Sequence, residues 1–171
     1  QKVMDTGLTV THLDGHQHMH MWNHFFPVTL ALAKKYHISC MRVPDEKLLF
    51  GFHLSPAGLF RFASKNGLSL FARSHRGALK RKGILCNDHF WGMMYGGHFY
   101  ESRMARILDH LEEGVTEFMC HPSADQKAME ETFHWGYEGE EELKSLTSAS
   151  VRKVLEERKI QLISYSNLQE S

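Results

Sequence analysis

The sequence predicts an α/β fold in which helices pack on a parallel sheet. Two observations indicate this class: short β-branched or apolar runs alternate with longer amphipathic segments along the whole chain, and no internal repeat interrupts the alternation. The length of 171 residues fits one domain, for which about 100 to 200 residues are usual, so residues 1–171 are expected to form a single domain. An open wound sheet and a (β/α) barrel both fit this order.

The first half of the chain predicts three strands. They are "GLTVTHLD", "ISCMRV" and "GILCND". Between them the segment from His24 to Tyr36, with Pro27 near its start, predicts a helix. Residues 56–82 predict one or two helices with apolar positions at Leu59, Phe62, Leu70 and Leu79.

The second half predicts two more strands, "VTEFMCHP", which is stopped by Pro122, and "IQLISY". The Gly-rich "WGMMYGGH" and residues 123–140 are expected to be loops. A helix is predicted in "YESRMARILDHLEEG", ended by Gly114, and another in "TSASVRKVLEERK", capped by Thr147 or Ser148. Five strands cannot close an eight-stranded barrel, so the barrel interpretation places N-terminal βα units outside this chain.

Composition excludes several classes of partner. Twenty basic and twenty acidic residues leave no net charge, so no nucleic acid is expected to bind. The three cysteines, Cys40, Cys86 and Cys120, are too scattered for a disulfide framework or a cysteine zinc site, and buried thiols of a reducing compartment are expected. Neither a membrane-spanning run nor a leader is recognisable, which predicts a cytoplasmic protein.

The stretch "THLDGHQHMHMWNH", residues 11–24, is unusually rich in histidine. Its four-residue spacings would line one face of a helix, but the β-branched residues before it favour a strand that ends at Gly15. On that strand His12, Asp14 and His16 share a face at the carboxyl end, where α/β folds place their active sites. We therefore expect His16 to bind a metal, with Asp14 orienting an imidazole. The alternative role, helix capping or filling polar space, is expected for His18, His20 and His24.

Further polar and aromatic side chains are expected at the same strand ends. Arg42 could hold a sugar hydroxyl or a phosphate, or form a salt bridge with Asp14 or Asp88. Asp88 could contact substrate, support a metal ligand or cap a loop. Aromatic and methionine side chains could line a sugar or lipid site or form a hydrophobic lid, and these are Trp91, Met93, Met94, Tyr95, Trp135 and Tyr137.

Three motifs, "THLDGHQHMH", "FMCHPS" and "LTSASVRKVLEERKIQLISY", resemble the YdjC-like family of carbohydrate deacetylases, chitooligosaccharide deacetylase type, in order and spacing. "DGHQHMH" and "NDHFWG" are most similar to the branch associated with hopanoid biosynthesis. The resemblance implies a distorted (β/α), TIM-barrel-like catalytic domain that removes N-acetyl groups from amino sugars with one divalent metal ion, Mg, Zn, Mn, Co or Ni. The implied substrate is a chitooligosaccharide or an N-acetylglucosaminyl glycolipid.

The resemblance also implies site residues. The family's metal is held by an aspartate of "ADDFG", a histidine after "GLH" or "GMH", and the second histidine of HxDxH; only the last is present here, as His16. The chain therefore resembles the C-terminal part of such an enzyme. A bound ion would activate water and polarise the acetyl oxygen, and His121 in "MCHP" would act as acid or oxyanion donor. The remaining residues expected to support the metal or bind substrate are His12, Asp14, His18, Arg42 and Asp88.

Two other functions fit the same residues. One is a sugar- or metal-binding fragment without catalysis, suggested by the absent aspartate pair. The other is a metal-dependent phosphoesterase, because one metal site can serve either hydrolysis. His121 could also be only a packing or helix-capping residue. An incomplete barrel would expose sheet edges, so self-association is expected.

Overall fold

The computed structural model of the protein describes residues 2–47 and 56–169, and the side chains of residues 56–65 lie outside the described part. Its helices are α1 (Phe26–Lys35), α2 (Pro56–Arg81), α3 (Glu101–Asp109), α4 (Gln126–Phe133), α5 (Gly139–Leu146), α6 (Ala149–Glu157) and α7 (Tyr165–Leu168). Two 3-10 helices cover Met4–Thr6 and His16–Met21, and the strands are β1 (His89–Trp91) and β2 (Thr116–Phe118). The mixture of helix and parallel strand pairing confirms the α/β class.

The chain divides into two compact units. The first comprises Gln1–His89 with Ile163–Ser171, and the second comprises Phe90–Leu162. The single domain expected over residues 1–171 stays a prediction.

Three parallel backbone segments form the sheet of the first unit. Leu13 bridges Met41, and Cys40 bridges Leu85. The central segment is bonded on both sides, since Arg42 N donates to Leu13 O over 3.0 Å and Met41 N donates to Leu85 O over 2.9 Å. Its side chains Cys40, Met41 and Val43 are fully buried. The three predicted strands of the first half are therefore present as short bridged segments.

Helices α1 and α2 cover this sheet. The helix predicted for His24–Tyr36 is confirmed, with Pro27 in its first turn, where a missing N–H costs nothing. The core joins Met21, Phe26, Ala33, Met41, Val43, Ala72 and Leu79. Leu79 is buried as predicted, whereas Leu70 is 68% exposed, so its assignment to the apolar face was wrong. The side chains of Leu59 and Phe62 lie outside the described residues.

A buried amide joins the segments of the first unit. Asn87 is fully buried, and its Oδ1 accepts from Val43 N over 2.8 Å. Its Nδ2 donates to Val43 O over 2.9 Å and to His89 O over 2.8 Å. Tyr165 of α7 adds a longer contact from its hydroxyl, 3.4 Å from Asn87 Oδ1. The side chain of Asn87 thus makes the hydrogen bonds to the backbone of Val43 and His89 that a neighbouring strand would make in a regular sheet.

In the second unit, β1 and β2 form a two-stranded sheet, extended by the bond from Met119 N to Trp91 O at 2.8 Å. Helix α3 packs against α5 and α6. Its buried side chains are Met104, Ile107 and Leu108, and Val151 is buried on α6. Ser148 caps α6 by accepting from Val151 N over 3.2 Å, which confirms one of the two predicted caps.

Three element predictions in the second half were wrong. Residues 123–140, expected to be a loop, contain α4 and the start of α5, because the Asp125 carboxylate accepts from Ala128 N and starts a helix. The helix expected to continue to Gly114 ends at Asp109, where the imidazole of His110 contacts the Arg106 carbonyl over 2.8 Å. The strand "IQLISY" is absent from the described part, since Leu162 is 78% exposed and Ser164 and Asn167 instead form the cap of α7.

Among the helices of residues 2–47 and 56–169, none combines the length and the apolar character needed to cross a membrane.

Candidate functional site

The histidine-rich segment leaves the sheet directly after Leu13. Gly15 precedes the 3-10 helix His16–Met21, and a Cβ at position 15 would lie 3.1 Å from the backbone N of His20 and 3.3 Å from its Nδ1. Gln17 and His18 adopt φ of 50° and 57°, a left-handed conformation that is costly for residues other than glycine. The sequence correctly placed a break at Gly15, and the strained turn that follows folds the imidazoles back onto the sheet.

Asp14, His20 and Arg42 form one polar network at this point. The Asp14 carboxylate lies 2.6 Å from Arg42 Nη1, so the salt bridge considered for Arg42 is formed with Asp14. His20 Nε2 lies 2.9 Å from the Arg42 carbonyl. Because a carbonyl only accepts, Nε2 carries the proton. Asp14 therefore orients a guanidinium here, in contrast to the imidazole that we expected it to orient.

The other predicted residues of the first unit lie in different surroundings. His18 is buried, with its ring 6.4 Å from that of His20, whereas His16 is exposed at the start of the 3-10 helix. His12 stacks on Tyr165 with ring centres 4.0 Å apart. Asp88 has an exposed side chain, and its backbone carbonyl accepts from Arg76 Nη2 over 2.9 Å. The structure thus brings Asp14 and Arg42 together, places His18 beside His20, and places His12 against α7.

The described residues do not complete a metal site. Within residues 2–47 and 56–169, no group of three or more histidine, cysteine, aspartate or glutamate side chains is arranged to hold an ion. Asp14 is already paired with Arg42, and His16 stands apart as an exposed donor. The side chains of the described residues therefore do not form a complete metal centre. His16 is the one candidate metal ligand that the sequence predicted among them.

His121, the expected proton donor, is held through its backbone. It follows β2, and its backbone N donates to Glu142 Oε2 over 2.5 Å. The other carboxylate oxygen of Glu142 accepts from Phe99 N over 3.1 Å. Glu142 is completely buried in α5, so this carboxylate joins three parts of the second unit in a region that water does not reach. The imidazole of His121 is half-buried.

Tyr137 packs beside the His121 ring and connects it to a group of titratable side chains. The centre of the His121 ring lies 4.7 Å from the ring of Tyr137, which also contacts His98 edge-on at 6.4 Å. The Tyr137 ring packs directly against the backbone of Gly97, which has φ of 86°. A Cβ at position 97 would lie 2.3 Å from Tyr137 Cδ1, so only glycine permits this contact. His98 Nδ1 lies 3.7 Å from Glu138 Oε2. The Tyr100 hydroxyl bonds to the same carboxylate, which raises the pKa of Tyr100.

Several residues of this site were missed from sequence. Glu142 lies in the acid-rich "EGEEELK", where nothing distinguishes the one glutamate that turns inward. The buried face of α5 consists of Gly139, Glu142 and Ser145, without an apolar residue to mark it. His98 follows a Gly-rich loop, and that position was the available signal for it. Tyr137 was considered as a ligand contact or a lid residue, and the structure places it against His121.

The thiol of Cys120, next to His121, is suppressed as a nucleophile. Burial, followed by the charge of Glu142, raises the pKa of Cys120 to about 12. The folded protein therefore favours the neutral thiol of Cys120. This preference contributes fully to the stability of the folded state below pH 9.0, and the contribution is lost as the pH rises towards 12. Burial also raises the pKa of Cys86, and Cys40 is buried, so the three cysteines are the free thiols expected.

We expect iodoacetamide at pH 8 to alkylate Cys120 at least about tenfold more slowly in the folded protein than in urea, because the thiolate is the reacting species. Peptide mass spectrometry at successive times gives the rate for each cysteine separately. Equal rates in the folded and unfolded protein would contradict the burial of this thiol.

The histidine-rich turn and His121 each follow a strand end of an α/β fold, where enzymes of this class commonly carry their functional residues. A sequence model of the YdjC-like protein family matches residues 1–157, and the chain belongs to this family. The match includes both the histidine-rich segment and His121, which confirms the resemblance described above.

Curated relatives match most of this chain at moderate identity. The carbohydrate deacetylase of Brevibacillus brevis is 28% identical over 95% of this chain and 55% of its own length. The carbohydrate deacetylase of Geobacillus stearothermophilus is 26% identical over 96% of this chain and 54% of its own length. The chitooligosaccharide deacetylase of Salmonella paratyphi B is 30% identical over 92% of this chain and 53% of its own length. The chain thus spans about half the length of the curated relatives it matches.

Proposed function

We propose that the protein is a metal-dependent hydrolase that removes N-acetyl groups from amino sugars. The observation that carries the proposal is the family match, which runs through both histidine motifs, to relatives named as carbohydrate deacetylases. The position of His121 supports it, since a half-buried imidazole after a strand end suits proton transfer to a departing amine. The substrate proposed is a chitooligosaccharide or an N-acetylglucosaminyl glycolipid, and the fold of the whole enzyme a distorted (β/α) barrel.

In this proposal, His121 protonates the amine as the amide bond breaks. Glu142 fixes the backbone of residue 121 through a buried carboxylate, so the point from which the imidazole extends is held in place. The ring of Tyr137 limits the space on one side of the His121 ring, and His98 contacts Tyr137 in turn. Pre-positioning of this kind lowers the entropic cost of reaching the transition state.

The first unit contributes His16 and the charged network behind it. We assign His16 to a divalent ion, Mg, Zn, Mn, Co or Ni, whose further ligands we do not assign to the described residues. The Asp14–Arg42 pair and the contact of His20 with the Arg42 carbonyl hold the turn that carries His16. His12 and Asp88 are proposed to support the turn or contact the sugar.

The test measures acetate release from N,N′-diacetylchitobiose by the protein at its natural full length, with and without a chelator. We expect release that is abolished by chelation, restored by added metal, and lowered about 100-fold or more in His121→Gln, since general acid catalysis contributes at least about that factor. His110→Gln is the matched control, because His110 is an exposed histidine of the same unit.

Two outcomes would decide against the proposal. Release of phosphate from p-nitrophenyl phosphate, without release of acetate, would favour the phosphoesterase. Saccharide binding that chelation does not alter, with no turnover of either substrate, would favour a protein that binds sugar without catalysis.

A further inference from the structure

Three aromatic side chains of the second unit form a continuous surface. Phe133 ends α4, and its ring stacks on that of Trp135 at 4.4 Å with 20° between the planes. Trp135 is followed by Tyr137, with ring centres 5.6 Å apart. Tyr137 in turn lies 4.7 Å from His121. We call Phe133, Trp135 and Tyr137 the aromatic surface, and it leads from solvent to the proposed proton donor.

The backbone holds the aromatic surface in place. The residues between the rings, His134 and Gly136, both have positive φ, of 51° and 64°. Gly136 N donates to the Glu130 carboxylate over 3.0 Å, and the Gln126 side-chain amide donates to the Tyr137 carbonyl. Both anchors belong to α4, so the segment that carries the rings is tied to a regular helix. A site fixed in this way loses little entropy when a ligand binds.

The aromatic surface keeps much of its area in water. Phe133 is 50% exposed and Trp135 is 48% exposed, although the two rings stack on each other. Exposed aromatic rings that lie together are informative, because folding alone would favour their burial. Their arrangement therefore points to a ligand that covers them.

The chemistry beside the rings indicates which ligand. A carboxylate and an imidazole, those of Glu138 and His98, lie 3.7 Å apart next to Tyr137. Flat aromatic faces carry partial negative charge and suit the weakly positive C–H bonds on one face of a pyranose ring. The carboxylate and imidazole suit the hydroxyl groups at the edge of that ring. An acyl chain would use the aromatic faces and leave these polar groups unmatched.

We propose that the aromatic surface binds a pyranose unit of an N-acetylated oligosaccharide, one or more units away from the sugar that loses its acetyl group. The proposal rests on the proposed function, because it takes His121 as the point of reaction. The order of the three rings supports the proposal. Tyr137 contacts His121, Trp135 contacts Tyr137, and Phe133 contacts Trp135, so each ring lies one step farther from the point of reaction. Longer oligosaccharides should therefore bind more tightly than short ones.

Isothermal titration calorimetry with N-acetylated chitooligosaccharides, from the disaccharide to the pentasaccharide, tests this site on the present chain. We expect Trp135→Ala to raise the Kd of the pentasaccharide about tenfold, equivalent to ~1.4 kcal/mol, and to leave the disaccharide nearly unchanged. Trp135→Phe should restore most of the affinity. Trp22→Ala is the matched control, because Trp22 is also 48% exposed but belongs to the first unit.

A second measurement does not depend on the folding of a variant. The three tryptophans give separate indole N–H signals by NMR, and we expect the pentasaccharide to shift that of Trp135 and to leave those of Trp22 and Trp91 in place. An unshifted Trp135 signal at saturating saccharide would overturn the proposal. A shift caused by phosphatidylcholine vesicles and not by saccharide would overturn it too, in favour of a lipid.

The two proposals fail separately. Acetate release by the full-length protein, with pentasaccharide affinity equal in wild type and Trp135→Ala, would overturn the aromatic site and leave the deacetylase intact. Pentasaccharide binding that depends on Trp135, without acetate release, would support the aromatic site and overturn the proposed function.

Discussion

Replacement of Glu142 by alanine is expected to lower the free energy of unfolding by about 4 kcal/mol, because two buried hydrogen bonds to a charged group are lost. Its carboxylate accepts from the backbone N of His121 and of Phe99, and it is completely buried. Alanine would leave both N–H groups without an acceptor where water does not reach. Urea denaturation followed by circular dichroism measures the difference.

Neighbouring variants isolate the cause. Glu141→Ala removes an exposed carboxylate, 2.6 Å from Lys144 Nζ, from the same helix, and such a surface pair contributes only about 0.5 kcal/mol. Glu142→Gln keeps one acceptor but points an amide N–H at a backbone N–H, so an intermediate loss of about 2 kcal/mol is expected. Similar losses for Glu141→Ala and Glu142→Ala would show that the buried carboxylate does not hold the unit together.

Asn87→Asp is expected to destabilise the first unit by about 3 kcal/mol without changing the shape of the side chain. Asn87 donates to the carbonyls of Val43 and His89. Aspartate replaces this donor by a second acceptor, which brings a buried oxygen against two carbonyl oxygens. The bond from Val43 N to Oδ1 survives, as does the longer contact from the Tyr165 hydroxyl.

The same substitution at an exposed asparagine serves as the control for Asn87. Asn23→Asp makes the identical change of charge in the first unit, where its side chain is exposed, and should alter stability by less than about 0.5 kcal/mol. Thermal unfolding at neutral pH compares the two variants. A Tm for Asn87→Asp within the error of that for Asn23→Asp would contradict the role given to the buried amide.

Helices α1 and α6 were predicted from the sequence because their signals are local, whereas α4 and the start of α5 were missed in the expected loop. Pro27 in the first turn of α1 and Ser148 before α6 are determined by backbone groups within four residues. Strands depend on partners distant in sequence. The "IQLISY" segment is rich in apolar residues, yet Leu162 is exposed and the described part contains no strand there, which the sequence pattern alone could not show.

Residues of the candidate site were likewise predicted where a local motif marks them and missed where their role depends on tertiary packing. His16 and His121 were proposed because they stand in recognisable motifs, and the break at Gly15 was predicted because glycine often ends a strand. Glu142 and His98 were not found. The inward turn of one glutamate in "EGEEELK" depends on where the backbones of Phe99 and His121 come together, and that arrangement follows from tertiary packing.

The hydrogen bond from His121 to Glu142 uses the backbone nitrogen of His121, so it does not depend on which side chain stands at position 121. Every amino acid except proline carries that N–H, so the link to Glu142 survives nearly any exchange of the imidazole. Under the proposed function, a folded variant that lacks the imidazole, such as His121→Ala, would be suited to trapping an uncleaved substrate for crystallography. Nucleophiles or metal-chelating groups could be introduced there by the same reasoning, with the surrounding fold unchanged.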